Sequence, residues 1–192
     1  MELYVARHGE TLSNLEKRIT GREGDSPLTE RGIEQAKSLK KSLEKIDFDA
    51  VYTSPSNRAI DTINIALGDR YEILIDDRLA EIGLGVMEGM TYDDVSITFP
   101  DSGMLFMFNP TSYIPPLKGE HLTDMIKRVD SFLNDIIRNN YDKVFVLTHA
   151  YVLRVLYSCT IDKSISAIAK SPYYSNCELV HYIYDCGKWK LI

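Results

Sequence analysis

The chain has 192 residues, 44% of them hydrophobic and 26% charged, a composition that suits a globular protein long enough to bury one substantial core. Its 28 acidic residues outnumber 22 lysines and arginines, and the net charge of −6 argues against a surface for nucleic acid, where cations must face phosphates. No stretch approaches the roughly 20 apolar residues of a membrane-spanning helix, and Met1–Arg7 lacks the basic-then-apolar pattern of a leader, so a cytoplasmic protein with no membrane partner is expected.

Leu3 to Ala6 is a short apolar run ending abruptly in Arg7-His8-Gly9, the pattern of a buried strand that hands over to a loop. From Thr29, an N-cap candidate, Ile33, Ala36, Leu39, Leu43 and Ile46 recur at helical spacing. Ala50 to Tyr52 reads as a second strand. Ser54-Pro55 then offers a capping residue before a proline, which predicts a helix carrying Ile60, Ile63 and Leu67, with Arg58 in its first turn. Tyr71 to Ile75 reads as strand three. Leu122, Ile126, Val129, Leu133 and Ile136 mark a long amphipathic helix, and Lys143 to Leu147 a central strand. Leu179–Tyr184 and Lys188–Ile192, separated by Asp185-Cys186-Gly187, predict an antiparallel hairpin at a sheet edge. Strands alternating with helices imply a layered α/β domain.

The three cysteines, Cys159, Cys177 and Cys186, are too few and too scattered for a disulfide framework or a zinc motif, and are read as buried free thiols. His8, His121, His149 and His181 show no metal-ligand spacing, so no metal and no cofactor is expected.

In open α/β sheets ligands gather beyond the carboxyl ends of the strands, and both Arg7-His8-Gly9 and Thr148-His149-Ala150 fall where an apolar strand ends. Arg58 would sit at a helix N-terminus, whose free N–H groups favour anions. Two arginines and two histidines can thus converge on a pocket suited to a phosphoryl group.

At these residues the sequence resembles a known family. Arg7-His8-Gly9-Glu10-Thr11 with Asn14, Asp25-Ser26-Pro27-Leu28-Thr29-Glu30-Arg31-Gly32 with Gln35-Ala36, Ser54-Pro55 with Arg58-Ala59, Leu79-Ala80-Glu81-Ile82 with Gly85 and Glu88-Gly89, and the strand ending at His149 follow in the order of the histidine phosphatase superfamily, in its phosphoglycerate-mutase-like branch. Pattern and resemblance together predict an α/β three-layer sandwich with a mostly parallel sheet, an antiparallel edge strand and a short helical or lid insertion around 90–118. A single histidine-phosphatase-like domain spanning 1–192 is expected.

The resemblance implies that His8 is the nucleophile, and flanking cations are consistent with this because they disfavour protonation of its imidazole. Arg7 and Arg58 are expected to hold nonbridging oxygens through their planar guanidinium groups. His149 is implied to be the second phosphate-binding histidine. Glu81 is the candidate proton donor, since burial can raise a carboxyl pKa into a useful range. Glu88 is the competing carboxylate, at a position that in the family usually supports the site, and Glu10 is read as a loop anchor. Asn14 is expected to donate an amide hydrogen bond, and Thr20-Gly21 resembles a backbone contact with substrate.

Two departures stand out: Ala150 follows the second histidine where glycine is common, and His121 stands where serine is usual, either facing substrate or capping an exposed helix start. A mutase must hold a second anionic group, yet residues 85–117 contain no lysine or arginine and include the apolar Met104–Phe108 and Tyr113-Ile114. The expected activity is therefore metal-independent phosphomonoester hydrolysis of a small molecule with an uncharged or apolar leaving group. A phosphoglycerate mutase is the alternative and a catalytically silent phosphate-ligand binder the third reading. The apolar stretch 102–117 is read as lid, core or dimer contact, which leaves a homodimer possible.

Overall fold

The computed structural model describes residues 1–192. Strand β1 (Glu2–Arg7) separates two interiors by its alternation: Leu3 and Val5 enter one hydrophobic cluster, Ala6 the other. After the short helix α1 (Leu12–Leu15), helix α2 (Glu30–Leu43) begins where predicted, with the Thr29 hydroxyl accepting from Gly32 N at 3.0 Å. It stops at Leu43. Ile46, predicted on the helix, instead closes a turn onto the Leu43 carbonyl and packs half-buried against the same cluster.

Strand β2 (Ala50–Thr53) leads to α3 (Asn57–Leu67). The predicted Ser54 cap is wrong. Ser56 is the N-cap and makes no side-chain cap bond; the carboxylate of Asp25 reaches across to accept from Asn57 N at 2.7 Å and Arg58 N at 3.4 Å. A cap supplied from a distant loop cannot be read from local sequence. Strand β3 (Ile73–Ile75) is shorter than Tyr71–Ile75 because Tyr71 lies outside it.

Helices α4 (Tyr92–Thr98) and α5 (Leu105–Phe108) form the 90–118 segment. The long α6 (Leu122–Arg138) buries Leu122, Val129, Leu133 and Ile136, as its spacing predicts, and also Met125 and Phe132, while the predicted Ile126 is half-buried. Burying each such side chain contributes about 1.5–3 kcal/mol. Strand β4 (Lys143–Thr148), helices α7 (Ala150–Tyr157) and α8 (Ala167–Lys170), and strands β5 (Leu179–Asp185) and β6 (Lys188–Leu191) complete the chain.

The six strands form one sheet in the order β3-β2-β4-β1-β5-β6. The first four are parallel; β5 runs antiparallel to β1, and β6 antiparallel to β5. The predicted hairpin is there, its turn made by Cys186 at φ 48 and Gly187 at φ 78, the left-handed pair a two-residue hairpin requires. Along β4, Val144 and Val146 face the cluster that contains α6 and α7, while Phe145 and Leu147 face the one that contains α2 and α3. The result is the expected α/β three-layer sandwich. No helix is long and apolar enough to cross a membrane. All three cysteines are free, but only Cys159 is buried; Cys177 is half-buried and Cys186 exposed.

Candidate active site

The parallel register pairs Arg7 with Thr148, so the residues that follow, His8 and His149, emerge side by side. His8 N donates to the Thr148 carbonyl at 2.9 Å, and the two rings lie 5.2 Å apart between centroids. Thr53 pairs with Leu147 in the same ladder, which brings Ser54 beneath His149. The strand ends therefore do what the sequence suggested, joining two histidines from opposite ends of the chain.

The hydrogen bonds distinguish the two rings. His8 Nδ1 lies 2.7 Å from the Gly9 carbonyl, an acceptor, so the hydrogen sits on Nδ1 and the Nε2 lone pair is free. Burial, reinforced by the Arg7 and Arg58 charges, holds His8 well below the ordinary imidazole pKa. His149 is wired the other way: Nε2 lies 2.6 Å from the Ser54 hydroxyl and 3.3 Å from that of Ser56, while buried Nδ1 has no partner. Burial, then Arg58, His8 and Arg7, also keep His149 uncharged. With the Ser54 hydroxyl donating to Nε2, His149 presents an N–H at Nδ1.

Arg58 is 1% exposed. Its Nη1 donates to the Gly24 carbonyl at 2.9 Å and to Asp25 at 3.2 Å, and its Nη2 donates to the Gly21 carbonyl at 3.0 Å, leaving Nε without an acceptor. Arg7 likewise uses Nη1 on the Tyr174 carbonyl at 3.2 Å and leaves buried Nε unpartnered. A buried donor without an acceptor costs about 1–3 kcal/mol. Three buried, unpartnered nitrogens, Nε of Arg7 and of Arg58 and Nδ1 of His149, belong to side chains that line the cavity with His8 or pack beside it.

A cavity of about 110 Å³ opens over this cluster, lined among others by Arg7, His8, Asn14, Thr20, Gly21, Arg58, Glu81 and Ala150. Every sequence-predicted site residue is in this set except His149, which is fully buried beside His8. Asn14 accepts from Thr11 N and Asn176 through Oδ1, which leaves its amide hydrogens free. Ala150 opens α7 and keeps its backbone N–H, so the alanine replaces no donor.

The two candidate carboxylates separate clearly. Glu88 accepts four backbone N–H groups, from Arg22, Glu23, Gly24 and Leu84, at 2.8 to 3.1 Å, and so folds the loop that supplies carbonyls to Arg58. Gly21 must be glycine, because its φ is +66 and a Cβ would lie 2.2 Å from Glu88. Glu81 lines the cavity, accepting only from Ile82 N at 3.0 Å and Tyr151 N at 3.3 Å. Burial raises its pKa above the usual carboxyl range, against the opposing pull of those amides and both arginines. Glu10 accepts from the Thr29 hydroxyl at 2.9 Å, a loop anchor as expected. His121 is exposed at the start of α6 and does not line the cavity.

Sequence reasoning missed two cations. Arg18 and Arg154 line the same cavity, beside Phe106 and Met107 of α5. Arg154 donates to the carbonyls of Ile168 at 3.1 Å and Met107 at 3.0 Å and has no acidic partner. The expectation of an apolar leaving group took 85–117 as the whole wall; α7, one turn beyond His149, is also part of it. The H-x-x-x-x-R spacing from His149 was the available signal. Phe106 is buried and Met107 lines the cavity, whereas Phe108, Ile114 and Leu117 are exposed, so the apolar stretch is part core and part wall. No group of three or more His, Cys, Asp or Glu side chains is arranged to hold a metal ion.

A neutral imidazole with a free lone pair, ringed by N–H donors and faced by a protonatable carboxyl, defines a site for moving a phosphoryl group between oxygens. The profile of the histidine phosphatase superfamily, branch 1, matches residues 3–192, and the chain belongs to that family. Human 6-phosphofructo-2-kinase/fructose-2,6-bisphosphatase 4 is 34% identical over 188 residues, which is 96% of this chain but 38% of that protein; the chain thus spans well under half the length of such bifunctional relatives. Among solved structures, the Bacillus stearothermophilus protein YhfR superposes with a TM-score of 0.91 at 34% identity, covering 99% of this chain and 94% of its own. The alpha-ribazole phosphatase of Shigella flexneri gives 0.89 at 26% identity, covering 100% and 95%.

Proposed function

We propose that the protein hydrolyses a small phosphomonoester through a phosphohistidine formed at His8. The observation that carries this reading is the trio of buried, unpartnered nitrogens, Nε of Arg7 and Arg58 and Nδ1 of His149, beside an imidazole whose Nε2 lone pair is free. His8 Nε2 attacks phosphorus, the P–O ester bond breaks toward the leaving oxygen, and Glu81 gives that oxygen its proton. A water then attacks the phosphohistidine and gives its proton to the Glu81 carboxylate as the N–P bond breaks, releasing phosphate and restoring both residues. The trio of donors and Asn14 hold the three equatorial oxygens, where charge is spread in such transfers.

Mixing enzyme with a radiolabelled aryl phosphate in a rapid quench tests the reading. An acid-labile, base-stable label on the protein is expected within one turnover, with steady release of phosphate unaffected by a chelator. Tight phosphate binding with neither label nor turnover would instead make the protein a silent binder.

One observation favours a second substrate class. Arg154 lines the cavity without an acidic partner, a cation beyond the Arg7 and Arg58 that a single phosphoryl group needs, and Arg18, paired with Glu16 at 2.7 Å, lines it as well. A substrate carrying a second anionic group, as in the bisphosphatase relative's name, or a phosphoglycerate undergoing mutase transfer, fits that surplus. The ratio of mutase to phosphatase rates on phosphoglycerate distinguishes these: equal rates move the assignment to a mutase.

A further inference from the structure

Glu81 lies on irregular backbone, between the short turns Asp77–Leu79 and Gly85–Met87. A proton donor on such a segment works only if the segment is held, because a misplacement of about 1 Å costs roughly 100-fold. One guanidinium does most of the holding. Arg128 Nη1 donates to the carbonyls of Arg78 and Ala80, each at 2.7 Å, and Nη2 donates to the carbonyl of Glu81 itself at 3.2 Å. The carbonyl of Leu79, between them, takes the hydroxyl hydrogen of Thr148 at 2.8 Å, at the end of β4.

Arg128 is fixed in turn. Glu120 grips it through two parallel bonds, Oε1 to Nε at 2.7 Å and Oε2 to Nη2 at 2.9 Å. The same carboxylate accepts from Gly83 N at 3.2 Å, and Glu120 N donates back to the Gly83 carbonyl at 2.7 Å. Both side chains are largely buried, at 13% and 15% exposure. Arg128 stands on α6 next to Val129, which is fully buried, so the clamp rests on a helix anchored in the core. Lysine could not replace it: a point charge on a flexible stem lacks the planar fork that spans three carbonyls at once.

We infer that Arg128, locked by Glu120, is the positioning residue for the proton donor Glu81, setting where the carboxyl stands relative to the leaving oxygen. The inference rests on the acid role proposed for Glu81. Arg128 does not line the cavity, so its contribution runs through Glu81, in protonating the leaving oxygen and in the later water step, and leaves phosphate binding alone.

The test compares two esters, p-nitrophenyl phosphate, whose leaving group departs without a proton, and an alkyl phosphate, whose leaving group needs one. Arg128→Lys is expected to lower kcat/KM, which stops at formation of the phosphohistidine and so excludes the water step common to both esters, about 100-fold on the alkyl ester and less than about 5-fold on the aryl ester, with the inhibition constant for phosphate within about 2-fold. Glu120→Gln, which keeps the volume but loosens the grip, should give the same ordering with about a tenfold loss on the alkyl ester, and serves if Arg128→Lys does not fold. Glu81→Gln is the reference. Should Glu81→Gln discriminate between the esters while both clamp variants lose equally on each, or lose on neither, the positioning role is overturned and the acid role stands. A Glu81→Gln enzyme indifferent to the leaving group removes both.

Discussion

Beneath the cavity, the polar side chains come from strand ends or first helical turns and are almost wholly enclosed: His8 is 4% exposed, Arg58 1% and His149 0%. Around the mouth, the lining comes from a four-residue helix, an exposed tyrosine and an arginine without an acidic partner, and Phe108 nearby in sequence is 73% exposed. The floor is fixed by the parallel ladder and by loops whose amides converge on Glu88. The wall hangs on a few bonds from α7, among them Tyr151 OH to the Phe106 carbonyl and Arg154 to that of Met107. On the function proposed above, the contrast ties the chemistry to the sheet and leaves recognition of the substrate to the wall.

Substitutions in the floor should act on turnover and those in the wall on recognition, which gives the contrast its sharpest test. The largest effect is expected from His8→Ala, a loss of kcat on the order of 10⁴-fold or more with no labelled protein in the quench experiment. Arg58→Ala should cost about 10²–10³-fold in kcat, and phosphate should no longer inhibit competitively. Next comes the pH profile of kcat. Because burial holds His8 well below the ordinary imidazole pKa, its lone pair stays available as pH falls through the usual imidazole range, and the acid limb lies below that range. Because Glu81 is raised, its proton is lost only above the usual carboxyl range, which sets an alkaline limb that Glu81→Gln should abolish.

On the wall, Arg154→Gln should raise KM about tenfold for substrates with a second anionic group, while p-nitrophenyl phosphate keeps its KM and kcat within about 2-fold. A fall in kcat on both substrates would erase the distinction between floor and wall. The smallest effect belongs to Ala150→Gly, a change in KM of about 2-fold or less, since the backbone donor is common to both residues.

What the sequence made legible follows from range. Strands, α2, α6 and the edge hairpin announce themselves by periodicity and turn chemistry, and the family motifs picked out His8, Arg58, Glu81 and His149. The α3 cap did not show, because Asp25 reaches it from a distant loop; nor did Arg154, which looks in the sequence like one polar residue on an apolar helix. The clamp of Arg128 on three carbonyls was equally invisible, since backbone acceptors leave no trace in side-chain identity. Ser54 was visible but misread: it faces His149 and not the helix it precedes.

The in-register pairing of Arg7 with Thr148 has a consequence for how the protein folds. His8 and His149 lie far apart along the chain, and the pairing of β4 with β1 is what sets the two imidazoles side by side. Pairing between such distant segments is slow because the closure entropy comes before the contacts that offset it, so a pocket that needs both imidazoles is completed only with the sheet. A slip of one residue in that ladder would turn His149 to the opposite face, so turnover doubles as a report that the central strands have found their proper alignment.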